Sequence, residues 1–142
     1  MFHRLVAASI AVPKIEDALP AYTEGLGLKL MAMNPGRRGY GLRLAALGDG
    51  ESSFLELLDS PEDGPVGRFL ARNGPGVYQL RLESENLYET VLQLQENGVE
   101  IVFGQPVGGG PRYTEATPDI ELAFIHPRAS SGVLIELVRK KS

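Results

Sequence analysis

The chain has no cysteine, and only two of its 142 residues are histidine. The lack of cysteine excludes disulfides, thiolate metal sites and cysteine nucleophiles. No stretch approaches 18 consecutive apolar residues, so no membrane-spanning helix is predicted. The formal net charge is −4, which argues against nucleic acid or an acidic membrane surface as a partner, because both require a basic face. We therefore expect a cytoplasmic protein with no nucleic-acid and no membrane partner.

The length and the 43% hydrophobic content suit one domain with a core of its own, and we predict a single domain over residues 1–142. Within it the chain reads as two copies of one repeat. The predicted bounds are about 5–58 for module one, 59–75 for a linker with a short helix, and about 76–138 for module two.

Each copy begins with an apolar strand, SIAVP or VYQLRLE, and continues through an amphipathic helix that ends at glycine. Each closes on a short strand with a central glutamate, FLELL or VLIEL. The pattern predicts an α+β fold in which tandem βαβββ modules form curved mixed sheets around a cleft. The repeat also makes Glu56 and Glu136 equivalent, so we expect both carboxylates to face that cleft.

Local signals predict the individual elements. Helices are expected at Ile15–Glu24, Val66–Arg72 and Leu87–Glu96, the last capped by Ser84 or Asn86 and ended by Gly98. Pro20 fits the first helix poorly unless it lies in the first turn, because proline inside a helix costs about 3 kcal/mol. Strands are expected at Val6–Val12, Lys29–Met33, Tyr40–Leu47, Phe54–Leu58, Glu100–Phe103, Ile120–Ile125 and Val133–Val138.

Three segments carry a family resemblance. They are FIHPRASSGVLIEL, SIAVPKIEDALPAYTEGLGLKL and FLELLDSPEDGPVGRFLARNGPGVYQLRL, and the first is the most specific. Together they resemble the vicinal oxygen chelate superfamily of glyoxalases, bleomycin-resistance proteins and extradiol dioxygenases, and within it the methylmalonyl-CoA epimerases. The resemblance implies a divalent metal in the cleft, held by the first and last strand of each copy. It also implies an enolate-like intermediate and carboxylates that move protons.

The four metal positions implied by the resemblance fall on Ala7, Glu56, Gln79 and Glu136. Epimerases usually supply histidine on both first strands, but alanine has no donor atom here and glutamine offers only a neutral amide oxygen. We therefore expect no metal and no other cofactor. Weak binding of magnesium or manganese by the two carboxylates and the amide stays open.

Arg81 is the predicted replacement for the metal. Strand alternation puts Gln79, Arg81 and Glu83 on one face, which the resemblance turns toward the cleft. Buried carboxylates require a cation or a proton, and a guanidinium beside Glu56 and Glu136 would supply the cation. Two interpretations stay open: an inert ion pair, or a site where arginine binds a substrate oxygen.

The candidate site residues follow from these arguments. Glu56 and Glu136 are the candidate catalytic groups, and Gln79, Arg81, Ser9 and Tyr113 are candidates for substrate binding. Ser9 shares the strand face of Ala7, and Tyr113 lies in the long irregular segment 104–119 as a possible lid. Met31 and Met33 suggest either an adaptable apolar wall or core packing.

The leading hypothesis is a metal-independent enzyme of the isomerase, lyase or cyclase type, acting on a small oxygenated or acyl substrate. The alternative is a non-catalytic protein that binds a small molecule, as resistance proteins do. A metal-dependent epimerase-like enzyme ranks third. By analogy with the family, we expect a homodimer.

Overall fold

The computed structural model describes residues 2–34, 41–104 and 111–141, with side chains from Arg4 onward. The strands are β1 (Phe2–Ala11), β2 (Lys29–Asn34), β3 (Arg43–Gly48), β4 (Ser53–Asp59), β5 (Gly76–Ser84), β6 (Ile101–Val102), β7 (Leu122–Ile125) and β8 (Leu134–Arg139). The helices are α1 (Ile15–Pro20), α2 (Pro65–Asn73) and α3 (Leu87–Glu96), with a π-helical turn at Ala21–Gly25 and a 3₁₀ turn at Pro127–Ala129. Most of the turn predicted after β2, with Tyr40, and part of the segment 104–119 lie outside the described residues.

The chain divides into two compact units. The first unit is Ala7–Tyr78, and the second unit combines Met1–Val6 with Gln79–Ser142. In the first unit β1 pairs with β4 in parallel, while β2–β3 and β3–β4 are antiparallel. In the second unit β5 pairs with β8 in parallel, while β6–β7 and β7–β8 are antiparallel. The α+β fold with two βαβββ modules and mixed strand pairing is confirmed.

Each unit packs its helices on an apolar core. In the first unit, α1 buries Ile15 against the strand residues Ala45, Leu47 and Leu57, and α2 buries Val66. In the second unit, α3 places Leu87 and Val91 in a cluster with Ile120, Ala123, Ile125 and Leu137. The apolar positions of α3 recur at helical spacing, which is why this face turns inward.

Helix α3 has the bounds that the sequence predicts. Asn86 is its N-cap, and the side-chain oxygen of Asn86 accepts a hydrogen bond from the Glu89 N–H at 3.1 Å. Gly98 follows the helix with φ +80°, a conformation that glycine adopts without strain. Ser84, the other proposed cap, instead hydrogen-bonds Thr90 at 2.7 Å.

Pro20 changes the first helix. The sequence predicts one helix over Ile15–Glu24, but regular α-helix ends at Pro20 and a π-helical turn continues to Gly25. Proline has no N–H and its ring clashes with the carbonyl four residues earlier, so the regular ladder cannot pass through it. The wider turn absorbs this defect.

Hydrogen bonds of three charged side chains, Glu16, Arg43 and Asp59, connect the start of α1 to the sheet. Asp59 on β4 is buried, and its carboxylate accepts hydrogen bonds from the Ile15 N–H at 2.9 Å and from Arg43 at 2.8 and 2.5 Å. The other edge of the Arg43 guanidinium donates to both oxygens of Glu16 at 2.8 and 2.7 Å. Hydrogen bonds from Arg43 lower the pKa of Glu16 to about 2. Arg43 thus joins α1, β3 and β4.

Among the described residues, no helix is both long enough and apolar enough to cross a membrane.

The Glu16–Arg43 contact predicts a pH-dependent stability. Because the folded pKa of Glu16 lies below its ordinary value of 4.5, the contact stabilises the fold above that pH. The contribution is lost as the pH falls from about 4.5 toward 2. We expect Glu16→Gln to lower the melting temperature at pH 7, and the difference from wild type to shrink between pH 4.5 and pH 3. Asp17→Asn is the matched control, since it removes an acid from the same turn; an equal effect of both variants would contradict the prediction.

Removing the Asp59 carboxylate tests the buried half of this network. Asp59→Ala leaves the Ile15 N–H and the Arg43 guanidinium without their acceptor, so we expect it to lower the free energy of unfolding by about 3 kcal/mol. Urea denaturation measures the change. Asp63→Ala, an exposed aspartate in the next loop, is the control. A loss for Asp59→Ala no larger than that of the control would refute the prediction.

Candidate functional site

In the first unit, the pairing of β1 with β4 brings Ser9 beside Glu56. The two residues are direct partners in the parallel register. The Ser9 hydroxyl donates a hydrogen bond of 2.8 Å to Oε1 of Glu56, and both side chains are buried, at 1% and 7% exposure. Ser9 therefore positions one oxygen of Glu56.

In the second unit, the equivalent pairing brings three polar side chains together. Arg81 on β5 is the direct partner of Glu136 on β8, and Gln79 lies two residues earlier on the same strand. Gln79 Nε2 donates to Oε2 of Glu136 at 2.8 Å, and Arg81 Nε lies 3.3 Å from the same oxygen. Gln79 and Glu136 are buried, while the Arg81 side chain is 20% exposed. One carboxylate oxygen thus receives two donors, one of them cationic.

The positive charge of Arg81 offsets the charge of Glu136. A buried carboxylate is costly unless a cation and hydrogen-bond donors compensate for the water it loses, and this site supplies both. The contact with Glu136 agrees with strand alternation combined with the face that the family resemblance turns toward the cleft. The predicted pairing of Arg81 with Glu56 stays a prediction, as do the catalytic and binding roles of these residues.

The four positions that the resemblance assigns to a metal do not fit a divalent ion. Ala7 is buried and has no donor atom. Gln79 turns its NH₂ group toward Glu136, since an amide oxygen at 2.8 Å from a carboxylate oxygen would be repelled. A dication on that oxygen would also meet the Arg81 guanidinium. In the described part of the chain, no three His, Asp or Glu side chains gather where they could hold a metal.

The remaining candidates lie in different settings. The Tyr113 ring packs on the core cluster of the second unit, and its backbone N–H donates to the Gly104 carbonyl. Burial, followed by the nearby carboxylates of Glu121 and Asp119, raises the pKa of Tyr113. The lid and binding roles expected for Tyr113 stay predictions. Glu83 pairs with Arg4 at 3.5 Å.

Three further side chains, one histidine and two methionines, have local surroundings of their own. His126 caps the 3₁₀ turn, where its Nδ1 accepts a hydrogen bond from the Arg128 N–H. Met31 and Met33 on β2 are 36% and 40% exposed, so they are not core residues of the chain as described.

Besides the network around Arg43, sequence reasoning missed a groove beside α2 that is lined by Arg68 and Arg72. The spacing of the two arginines in RFLAR, one helical turn apart, was the available signal.

Comparisons with known proteins agree with this architecture. Residues 4–137 match the model of the Glyoxalase/Bleomycin resistance protein/Dioxygenase superfamily. The uncharacterised protein YqjC of Bacillus subtilis is 30% identical over 140 residues, which cover 98% of this chain and 94% of YqjC.

Two solved epimerase structures are similar. Methylmalonyl-CoA epimerase from Mycobacterium tuberculosis is 28% identical with a TM-score of 0.76, covering 99% of this chain and 90% of that one. A variant of the Streptomyces coelicolor epimerase, in complex with 2-nitronate-propionyl-CoA, is 26% identical with a TM-score of 0.78 and covers all of both chains. The resemblance to methylmalonyl-CoA epimerases is thereby confirmed, and the chain belongs to the Glyoxalase/Bleomycin resistance protein/Dioxygenase superfamily.

Proposed function

We propose that this protein is a metal-independent enzyme that moves a proton on a small acyl substrate, an isomerase or lyase by reaction type. The observation that carries the proposal is the convergence of Gln79 and Arg81 on one oxygen of Glu136. The similarity to methylmalonyl-CoA epimerases supports an acyl thioester as the substrate class. Epimerisation of a carbon next to a carbonyl requires that a proton be removed and returned.

Glu136 is the proposed base. Its carboxylate takes the proton from the substrate carbon, and the C–H electron pair moves into the carbonyl to give an enolate. The carboxylate becomes neutral as the negative charge passes to the substrate oxygen. Arg81 and Gln79 then donate hydrogen bonds to the enolate oxygen instead of to Glu136. These donors are already in place, so they stabilise the negative charge as it develops on the substrate. The total charge of the buried site is therefore the same before and after the proton transfer.

Glu56 is the proposed second acid–base group. Ser9 fixes Oε1 of Glu56 at 2.8 Å, which orients the carboxyl group. The proposed role of Glu56 is to return a proton to the substrate carbon after Glu136 has removed one. The proposal also includes a homodimer, by analogy with the family, and a cytoplasmic location, which is the expectation from the composition.

Replacing either glutamate by glutamine tests the proposed chemistry. We expect Glu136→Gln and Glu56→Gln each to reduce turnover about 100-fold or more, since a positioned general base contributes about 10²–10⁴-fold. The measurement is epimerisation of methylmalonyl-CoA and related acyl thioesters, together with deuterium uptake from D₂O. Glu136→Gln should abolish both, while Glu56→Gln should retain part of the exchange because Glu136 still removes the proton.

Control variants distinguish the loss of a catalytic group from the loss of the folded structure. Glu96→Gln and Glu62→Gln change exposed glutamates and should keep wild-type turnover. Circular dichroism shows whether each variant is folded. Wild-type turnover in a folded Glu136→Gln variant would refute the proposed base.

Sequestration of a small apolar molecule is the second candidate. The exposure of Met31 and Met33 favours it, because flexible thioether side chains can line a binding surface for varied ligands. On this alternative, the glutamine variants keep their affinity for the ligand and no substrate turns over. The glutamate-to-glutamine variants therefore distinguish the two functions: an enzyme loses turnover, whereas a binding protein keeps its affinity for the ligand.

Metal content separates both candidates from a metal-dependent epimerase. Because the donor set of Ala7, Gln79 and Glu136 does not fit a dication, we expect less than stoichiometric divalent metal in purified protein, and activity that EDTA leaves unchanged. Elemental analysis after incubation with magnesium or manganese provides the measurement. One equivalent per chain, removed by EDTA together with the activity, would overturn metal independence.

A further inference from the structure

A groove of about 310 Å³ lies along α2 in the first unit. Its lining is Pro65, Arg68, Phe69, Arg72, Asn73 and Tyr78. The volume lies at the lower end of the range of about 300–1,000 Å³ that is typical of ligand sites. None of these residues belongs to the candidate acid–base site, so the groove is a separate feature.

The cationic side of the groove consists of Arg68 and Arg72. Residues four apart on a helix are neighbours, and two like charges in this arrangement destabilise the helix. Neither arginine forms an ion pair with a carboxylate within the described part of the chain, and the Arg68 guanidinium donates a hydrogen bond to the Asp63 backbone carbonyl. The two charges are therefore uncompensated in a chain whose net charge is −4. A bound anion would remove the repulsion.

The other side of the groove is aromatic. The rings of Phe69 and Tyr78 meet edge to face, with centroids 5.3 Å apart, and both are half-buried. The Tyr78 hydroxyl has no hydrogen-bond partner among the described residues. Burial raises the pKa of Tyr78, so at neutral pH this hydroxyl remains a donor. The aromatic side thus offers a flat apolar surface with one polar donor.

We propose that this groove binds a nucleotide, with its phosphate at Arg68 and Arg72 and its base against Phe69 and Tyr78. Guanidinium groups match the geometry of phosphate oxygens, and aromatic rings accept flat bases. The nucleotide is either free or the nucleotide end of a coenzyme A ester. The binding site stands on the first unit alone and does not depend on the proposed catalytic function.

Calorimetric titration of the full chain with adenosine 5′-monophosphate tests the proposal. We expect one site per chain, with an affinity that falls as salt rises from about 50 to about 500 mM because screening weakens the phosphate contact. Arg72→Glu should weaken binding about tenfold or more, since it removes a charge-assisted hydrogen bond and adds repulsion. If this variant does not fold, Arg72→Gln provides the same test.

Lys141→Glu is the matched control, since it makes the same change of net charge at an exposed residue that does not line the groove. It should bind like wild type. Equal affinity of Arg72→Glu and wild type would overturn the proposal, as would the absence of nucleotide binding.

Inorganic phosphate and adenosine are tested separately, and each should bind more weakly than the nucleotide. If inorganic phosphate binds as tightly as the nucleotide, the proposed contact of the base with the aromatic rings is refuted. If adenosine binds as tightly as the nucleotide, the proposed contact of the phosphate with the arginines is refuted. Coenzyme A identifies the source of the ligand. Tighter binding of coenzyme A that also depends on Arg72 assigns the groove to its nucleotide end, and weaker binding assigns it to a free nucleotide.

Discussion

The parallel pairing of the first and last strand in each βαβββ module is the constraint on which the candidate site depends. It makes Ser9 the partner of Glu56 in one module and Arg81 the partner of Glu136 in the other. Side chains alternate between the faces of a strand, so a slip of one residue would turn these groups to the opposite face. The chain between the paired strands runs through a helix and two further strands, and this long crossover permits the parallel arrangement. The site is thus a consequence of the module's topology.

Glu56 and Glu136 lie at equivalent places in the two modules, and both are buried with polar neighbours. Glu56 accepts a hydrogen bond from the Ser9 hydroxyl, and Glu136 accepts one from the Gln79 amide and lies beside the Arg81 guanidinium. A hydrogen bond to a charged group contributes about 1.5–3 kcal/mol, so each contact matters to the orientation of its carboxylate. In the proposed function, the Arg81 guanidinium stabilises the enolate and Glu56 supplies a second acid–base group.

Local patterns predicted much of this structure, whereas contacts that neither a local pattern nor the family resemblance specifies were missed. Helix α3 has the predicted bounds because its cap Asn86, its apolar spacing and its terminal glycine all lie within a few residues. The Arg81–Glu136 contact was expected from strand alternation and the repeat, together with the family resemblance that turns this strand face toward the cleft. The network around Arg43 was missed because its partners lie 16 and 27 residues away, where no local pattern specifies them. The groove beside α2 likewise combines a helix with Tyr78 on the next strand.

Replacing a metal by a guanidinium limits the chemistry that the proposed site can perform. A dication accepts lone pairs from two substrate oxygens at once, while Arg81 carries one positive charge and only donates hydrogen bonds. The enolate is then less strongly stabilised, so the C–H bond of the substrate must already be acidic. A carbon between a thioester and a second electron-withdrawing group meets that requirement, and a simple alkyl ketone does not. The substrate class proposed for this chain therefore follows from the charge of Arg81 as well as from the resemblance to epimerases.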